Sequence, residues 1–384
     1  MELIEHTWDD KRLKQDRLRA IQEEMRKENV GGLYLTELVN VRFAINVRIP
    51  GGHAFVPTEG EPIAFVRPLD EGYVTLAHSN MRKHIYRADP SDPEGDQNAL
   101  KGADKLLNIM GEYGVRGQTL GIDTCDPAAF AALHQREIPL MNAEKILALA
   151  KTVKTQDEIL IYKETAKLQS AIMRIFHDEL RPGINEREMT NLISARLFGL
   201  GAEGILQINI CSGENMNPWR RWPTARKFQD GDLVGMDLHT YGPGGYIFDA
   251  SRTYLCGTKA TQKQKDLYRR AYEYNNAVIQ LFKPGVPIAE IRANLPKVPE
   301  KFQKILHSFH IAHSNGLTPG EYPSIMWQHK PLDDVTRVNQ VLSVDCVMGE
   351  EGDDMAVKLE EQILITPTGP VKMADLPYED KLLN

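Results

Sequence analysis

The chain has no apolar run long enough to cross a bilayer, which takes roughly 20 residues, so a membrane span is not expected. Its start, "MELIEHTWDDKRLKQDR", lacks the apolar core of a secretory signal and is polar and acidic from the first residues. Cysteine is scarce: Cys125, Cys211, Cys256 and Cys346 lie far apart, with no CxxC pair. That usage argues against a disulfide framework or a thiolate zinc site and predicts reduced thiols in a cytoplasmic protein. Positive charge is not in excess, since 46 Lys+Arg stand against 53 Asp+Glu for a net charge of −7. No general attraction to phosphate follows, so nucleic acid is not expected as a partner. Internal repeats and low-complexity tracts are also missing.

What is present is an ordinary globular composition, 42% hydrophobic and 26% charged over 384 residues, enough for two or three domains. The stretch "DDKRLKQDRLRAIQEEMRKENVGG" (9–32) reads as an amphipathic helix with Leu13, Leu18, Ile21 and Met25 on one stripe and Gly31 stopping it. Short apolar runs alternating with helical stretches then predict a small α/β domain. The pattern changes between Lys151 and Asp157, which gives domains over 1–152 and 153–384. The second begins with helices, "RPGINEREM" restarting one after Pro182–Gly183. From about residue 205 it turns strand-rich, with helices expected over 262–282 and 287–304.

The stretch "GMDLHTYGPGGYIFDAS" (235–251) reads as a hairpin. Period-two alternation puts Asp237 and His239 on one face of its first strand, and Asp249 and Ser251 on one face of the second. A reversal centred on Pro243 would set Asp237 directly opposite Asp249. Like charges at that spacing repel, and they need a cation or a shared proton between them. A second hairpin, "QVLSVDCVMGEEGDDMAVKLEEQILIT", repeats the device by setting Asp345 opposite Glu360. Both acids sit among apolar residues, where a carboxylate is rarely left unpaired. Between the hairpins, "LHSFHIAHSNGL" offers His307, His310 and His313. On a strand, neighbouring faces differ, so only one of these would point at the acids. Four carboxylates and one imidazole suit two divalent ions (Mn, Fe, Co or Zn) about 3.5–4 Å apart, which activate water or polarise a substrate oxygen.

The ordered set Asp237, Asp249, His313, Asp345 and Glu360 resembles the five metal ligands of the pita-bread superfamily, which comprises methionine aminopeptidase, aminopeptidase P, prolidase and creatinase. "GDLVGMDLHTYGPGGYIFDASRTYLCG" is similar to its Asp-bearing hairpin and "VKLEEQILIT" to its closing Glu strand. The first 150 residues resemble the creatinase/prolidase N-terminal domain. The resemblance implies an α+β pita-bread catalytic domain behind a smaller α/β domain, a dinuclear metal site and a homodimer.

Within the superfamily the pattern looks most like the DddP-type dimethylsulfoniopropionate (DMSP) lyases. The Asp237-to-Asp249 interval is one residue longer than in the peptidases. "GENMNPW" puts Trp219 where peptidases tend to carry histidine, and "GLTPGEYPSI" follows the ligand histidine in place of a second histidine. The chain also departs from that branch. His239 stands for an Asp, Pro319–Gly320 for an Asp thought to act as base, Asp345 for a Glu and Ser314 for a Gly.

These residues lead to an expected metalloenzyme that acts on a small carboxylate substrate by elimination or hydrolysis. Glu321 and His239 are the candidate acid–base groups, His239 alternatively serving as an added ligand or as an orienter of a carboxylate. In "NPWRRWP", Trp219 and Trp222 are candidates for an aromatic wall, and Arg220 or Arg221 for a carboxylate clamp. A loop merely anchored by its aromatics reads equally well. Tyr322 is a further candidate contact, with plain packing as the alternative. Arg252 is expected as a structural partner of the site acids. Two other functions stay open: an Xaa-Pro dipeptidase or aminopeptidase, and a metal-free or non-catalytic binding member of the fold.

Overall fold

The computed structural model describes residues 3–85, 95–330 and 332–384. The chain forms two compact units, one of Asp9–Lys151 and one of Met1–Trp8 with Thr152–Asn384.

The smaller unit opens with the helix Asp10–Lys27, capped by the Asp9 carboxylate on the amides of Lys11 and Arg12. Its buried stripe contains Leu13, Leu18, Ile21 and Met25, as the periodicity predicts. Six strands make its mixed sheet: β1 (Gly32–Leu35), β2 (His53–Pro57), β3 (Ile63–Val66), β4 (Arg82–Ile85), β5 (Leu120–Ile122) and β6 (Leu140–Asn142). They lie in the order β4-β3-β2-β1-β5-β6.

The larger unit contains β7 (Gly204–Ser212), β8 (Leu233–Tyr241), β9 (Ile247–Leu255), β10 (His310–Ser314), β11 (Glu321–Met326), β12 (Val341–Gly349), β13 (Ala356–Thr366) and β14 (Gly369–Lys372). The sheet runs β11-β10-β12-β13-β9-β8-β7, with β14 on β13. The helices Gln156–Glu179 and Glu186–Gly199 each begin in a capping box, Thr155 with Glu158 and Asn185 with Glu188. They bury Leu168, Ile172, Phe176 and Ile193 against Val234, Leu238, Phe248 and Ala250 of the sheet. The helix Gln262–Ile279 covers β12 and β13 with Leu267, Tyr268, Ala271 and Val278. The helix expected over 287–304 is instead two short ones, Ile288–Ala293 and Glu300–Leu306. Pro296 and Pro299 interrupt it, since proline cannot donate the intrahelical bond and clashes with the preceding turn.

Near the chain end the buried Glu379 accepts from the Leu255 amide at 3.1 Å, and its Oε2 lies 3.6 Å from His177 Nε2. The contact with Glu379 raises His177 above its ordinary 6.5 against the effect of burial, and it lowers Glu379. A raised folded value stabilises fully below the unfolded value and loses that contribution as pH rises through the folded one. The melting-temperature gap between the parent and His177→Gln should therefore shrink as pH is raised above 6.5, a change that a pH series of thermal melts would show.

Candidate metal centre

Strand register builds the site. Asn209, Asp237, Ser251, Glu360 and Asp345 are successive cross-strand partners on β7, β8, β9, β13 and β12. Asp345 faces Glu360 as the second hairpin predicts. The first hairpin differs from expectation, with Asp237 opposite Ser251 and His239 opposite Asp249. Its reversal is centred on Gly244, not Pro243, because the turn closes with the Gly242 amide on the Tyr246 carbonyl. Gly244 and Gly245 take φ of 66° and 75°, a region that favours glycine. The centre shift moves the pairing by two residues, so the parity of the faces survives and both acids still face the same side.

The imidazole comes from β10. His313 Nε2 lies 3.4 Å from Asp345 Oδ2, 3.6 Å from Asp249 Oδ2 and 3.6 Å from Glu360 Oε1. His310 also reaches this side, with ring centroids 4.8 Å from His313, because a register irregularity between His310 and Ala312 breaks the alternation. His307 is elsewhere, stacked on Trp327. All four acids and His313 are buried. Glu360 Oε1 has no hydrogen-bond partner, and Asp249 Oδ1 meets only the edge of His239, whose Nε2 is 3.0 Å away. Buried carboxylate oxygens left in this way are what a cation would satisfy. Asp249, His313 and Glu360, whose donor atoms lie within 4.8 Å of one another, fit a divalent ion, and Asp345 adds an oxygen 3.4 Å from His313 Nε2.

A residue that the sequence reading did not single out occupies the other half. Lys358, two positions before Glu360 and on the same face, puts Nζ 2.8 Å from Asp237 Oδ1, 2.9 Å from Glu360 Oε2 and 2.8 Å from Ser251 Oγ. Period two alone would have placed it there, but the run around it reads as a buried apolar strand. Burial pulls its ammonium down, but Asp237, Glu360, Asp345 and Asp249 together outweigh that and hold it well above its ordinary range. Burial likewise pushes Glu360 up, and Lys358 and His313 reverse this and hold it well below. Asp249 goes the other way, raised by burial and by the Glu360 charge. Burial favours neutral His239, whose value is lowered. His313 is raised by Asp345 and Glu360 despite its burial.

A cleft of about 220 Å³ opens on these groups, lined also by Trp219, Arg221, Phe309, Pro319 and Gly320. Trp219 lies over Gly235, where a Cβ would come within 2.6 Å of the ring, so this position has room only for glycine. Asn315 joins the following loop to the site, donating to Ser343 Oγ at 2.9 Å and accepting from the Gly320 amide at 3.2 Å.

Several sequence candidates do not reach the cleft. Glu321 points to the buried Lys154 at 2.9 Å and to the Leu317 amide at 3.1 Å, the ammonium drawing it away. The Tyr322 hydroxyl donates to Asp334 at 2.8 Å, and burial with that contact pushes it up to about 12. Trp222 is 79% exposed. Arg220 turns to Asn215, while its neighbour Arg221 lines the cleft, so of the two arginines weighed the second is the one placed there. Arg252 is buried as a structural group, but its acid is Glu361 at 2.5 Å rather than a site carboxylate, because it alternates to the opposite face.

The model of metallopeptidase family M24 matches residues 161–367, more than half of the chain. The protein belongs to metallopeptidase family M24. Among curated relatives it is 23% identical to "Dimethylsulfoniopropionate lyase DddP" of Roseovarius nubinhibens, over 98% of this chain and 88% of that one. It is 27% identical to "Putative dipeptidase YkvY" of Bacillus subtilis, over 62% of this chain and 65% of that one. Among solved structures it is similar to an Xaa-Pro dipeptidase from Bacillus anthracis, with TM-score 0.80, 18% identity, and 95% and 99% of the two chains covered. The prolidase from Pyrococcus horikoshii gives TM-score 0.77 at 20% identity over 94% and 99%. These likenesses establish the α+β pita-bread fold across nearly the whole chain. M24 enzymes are metal-dependent, and the buried acid–histidine group of this chain lies within the matched segment.

Proposed function

We propose that this M24 protein is a metal-dependent lyase that acts on a small carboxylate substrate of the DMSP type, with C–S elimination as its reaction. The observation that supports it most is the make-up of the cleft. It is small, about 220 Å³, it presents Trp219 and Phe309 as aromatic faces, and it carries Arg221 beside the four acids. Aromatic faces hold an onium head, and a guanidinium holds a carboxylate in two-point contact. The loop after His313 contributes Pro319 and Gly320 to the wall, with no imidazole among them. A bound metal ion would polarise the substrate carboxylate and stabilise the charge that develops at the α-carbon.

In this reading the α-proton leaves, its electron pair forms the C=C bond, the C–S bond breaks and the sulfide departs with the other pair, giving acrylate. His239 takes the proton at Nδ1, which is buried without a hydrogen-bond partner while Nε2 faces Asp249. Its lowered value keeps the imidazole neutral and able to accept near pH 7. The same proposal places the enzyme in the cytoplasm as a homodimer. Of the described residues, no helix is long and apolar enough to cross a membrane, and all four cysteines are free thiols.

The test is turnover of DMSP by the metal-loaded protein, followed as headspace dimethyl sulfide and as acrylate, beside a panel of Xaa-Pro dipeptides. Sulfide and acrylate in equal amounts are expected. Proline release without sulfide would replace this reading with the peptidase one, which the solved neighbours favour. His239→Gln should lower kcat by roughly 10²–10⁴-fold with metal content unchanged. An unchanged kcat would remove His239 from the reaction.

A further inference from the structure

We infer that this chain holds one divalent ion, not two, and that the Lys358 ammonium takes the place of the second. The inference rests on the two unlike halves of the site and does not depend on which reaction the cleft performs. In the first half, Asp249, Asp345 and Glu360 each put an oxygen 3.4–3.6 Å from His313 Nε2. Four N and O donors bound tetrahedrally at about 2.0–2.2 Å lie roughly 3.3–3.6 Å from one another. The three distances from His313 Nε2 fall in or near that range, and donor atoms of Asp249, His313 and Glu360 all lie within 4.8 Å of one another, close enough to share an ion.

The second half is engaged from within the chain at two of its three oxygens, the third, Asp249 Oδ1, having no hydrogen bond. Its three oxygens are Asp237 Oδ1, Glu360 Oε2 and Asp249 Oδ1. Lys358 Nζ lies 2.8 Å from the first and 2.9 Å from the second. Ser251 Oγ donates to the first at 2.6 Å, and its 2.9 Å contact with the second completes a bridge. His239 Nε2 stands 3.0 Å from the third. An ion placed among these oxygens would share them with an ammonium held among them, since Lys358 is 4% exposed. Charge points the same way. With the ligands deprotonated, as metal binding requires, four carboxylates against one ammonium leave three negative charges, which one divalent ion reduces to one. A second ion would make the buried cluster net positive beside a trapped lysine. Asp237, His239 and Asp249 come close enough together to form a cation site of their own, and this is where a second ion enters once Lys358 is removed.

The experiment loads the full-length protein with Mn(II), removes loose ion by gel filtration and counts manganese per chain by plasma mass spectrometry, with EPR on the same samples. The parent should hold one ion with the six-line spectrum of an isolated Mn(II). Lys358→Met should hold two, with a spectrum broadened by coupling between ions, whereas Lys358→Arg keeps the positive charge and should remain at one. Two ions in the parent, or one in a folded Lys358→Met, would overturn the inference. Should Lys358→Met not fold, a second pair decides. Asp345→Asn should lose the ion and Asp237→Asn should keep it, whereas equal losses in the two would return the site to an ordinary dinuclear pair.

Discussion

Replacing Asp249 by alanine is expected to abolish turnover, by at least about 10³-fold in kcat/KM or roughly 4 kcal/mol of transition-state stabilisation. Asp249 borders both halves of the centre, with Oδ2 3.6 Å from His313 Nε2 and Oδ1 3.0 Å from His239 Nε2. Its loss removes a ligand from the four-donor set and a partner from the proposed base. The same change should not cost stability in the metal-free protein. Asp249 is buried beside Glu360 and Asp237, and its value is raised well above the ordinary range by burial first and by the Glu360 charge next. A carboxyl with a raised folded value stabilises only at low pH and opposes folding once ionised. Thermal melts with chelator at neutral pH should therefore place Asp249→Ala level with or above the parent. With metal added the order should reverse, because only the parent gains the stabilisation of a bound ion. A variant that melts below the parent in chelator would show that Asp249 is needed for folding, and the loss of activity would then say nothing about the metal.

The second large effect concerns Arg252. Arg252→Met should destabilise the larger unit by about 3–5 kcal/mol, the range for breaking a buried ion pair by removing one partner. The guanidinium donates to Glu361 at 2.5 Å and to the carbonyls of Ser251, Glu360, Leu376 and Pro377 at 3.0–3.2 Å. Removing it leaves Glu361 buried with Tyr378 and Lys372. It also leaves four carbonyls without that donor, and two of them belong to residues of the metal row. Lysine is no substitute, since one ammonium cannot reach five acceptors spread around a planar fork. Arg252→Lys should recover less than half of the loss in a denaturant titration. The double change Arg252→Met with Glu361→Leu should recover more, because it leaves no buried carboxylate without its guanidinium, while Lys372 is partly exposed and keeps Asn276 and Tyr378. If Arg252→Met alone falls within about 1 kcal/mol of the parent, the pair is not the support described here.

The sequence by itself determined much of this. Alternation of period two fixes which face a side chain takes, so Asp237, Asp249, Asp345 and Glu360 are legible as inward acids from the chain alone. The second hairpin was legible in register because its long paired strands leave little freedom around the turn. The amphipathic stripe of the first helix belongs to the same local order.

Other features only the tertiary structure decided. The two-residue shift in the first hairpin depends on which glycine of the 242–245 turn stands at its centre, which composition does not specify. Glu321 follows the metal-site loop closely in sequence, but Lys154, more than 160 residues earlier, turns it away. Lys358 was hidden for the opposite reason. A lysine in a strand is ordinarily a solvated residue, and it becomes the counter-charge of the site only because β8, β9 and β12 bring Asp237, Ser251 and Asp345 around it. Backbone periodicity is local and can be read along the chain, whereas the electrostatic partner of a buried charge is set by strands far apart in sequence, and that only the fold supplies.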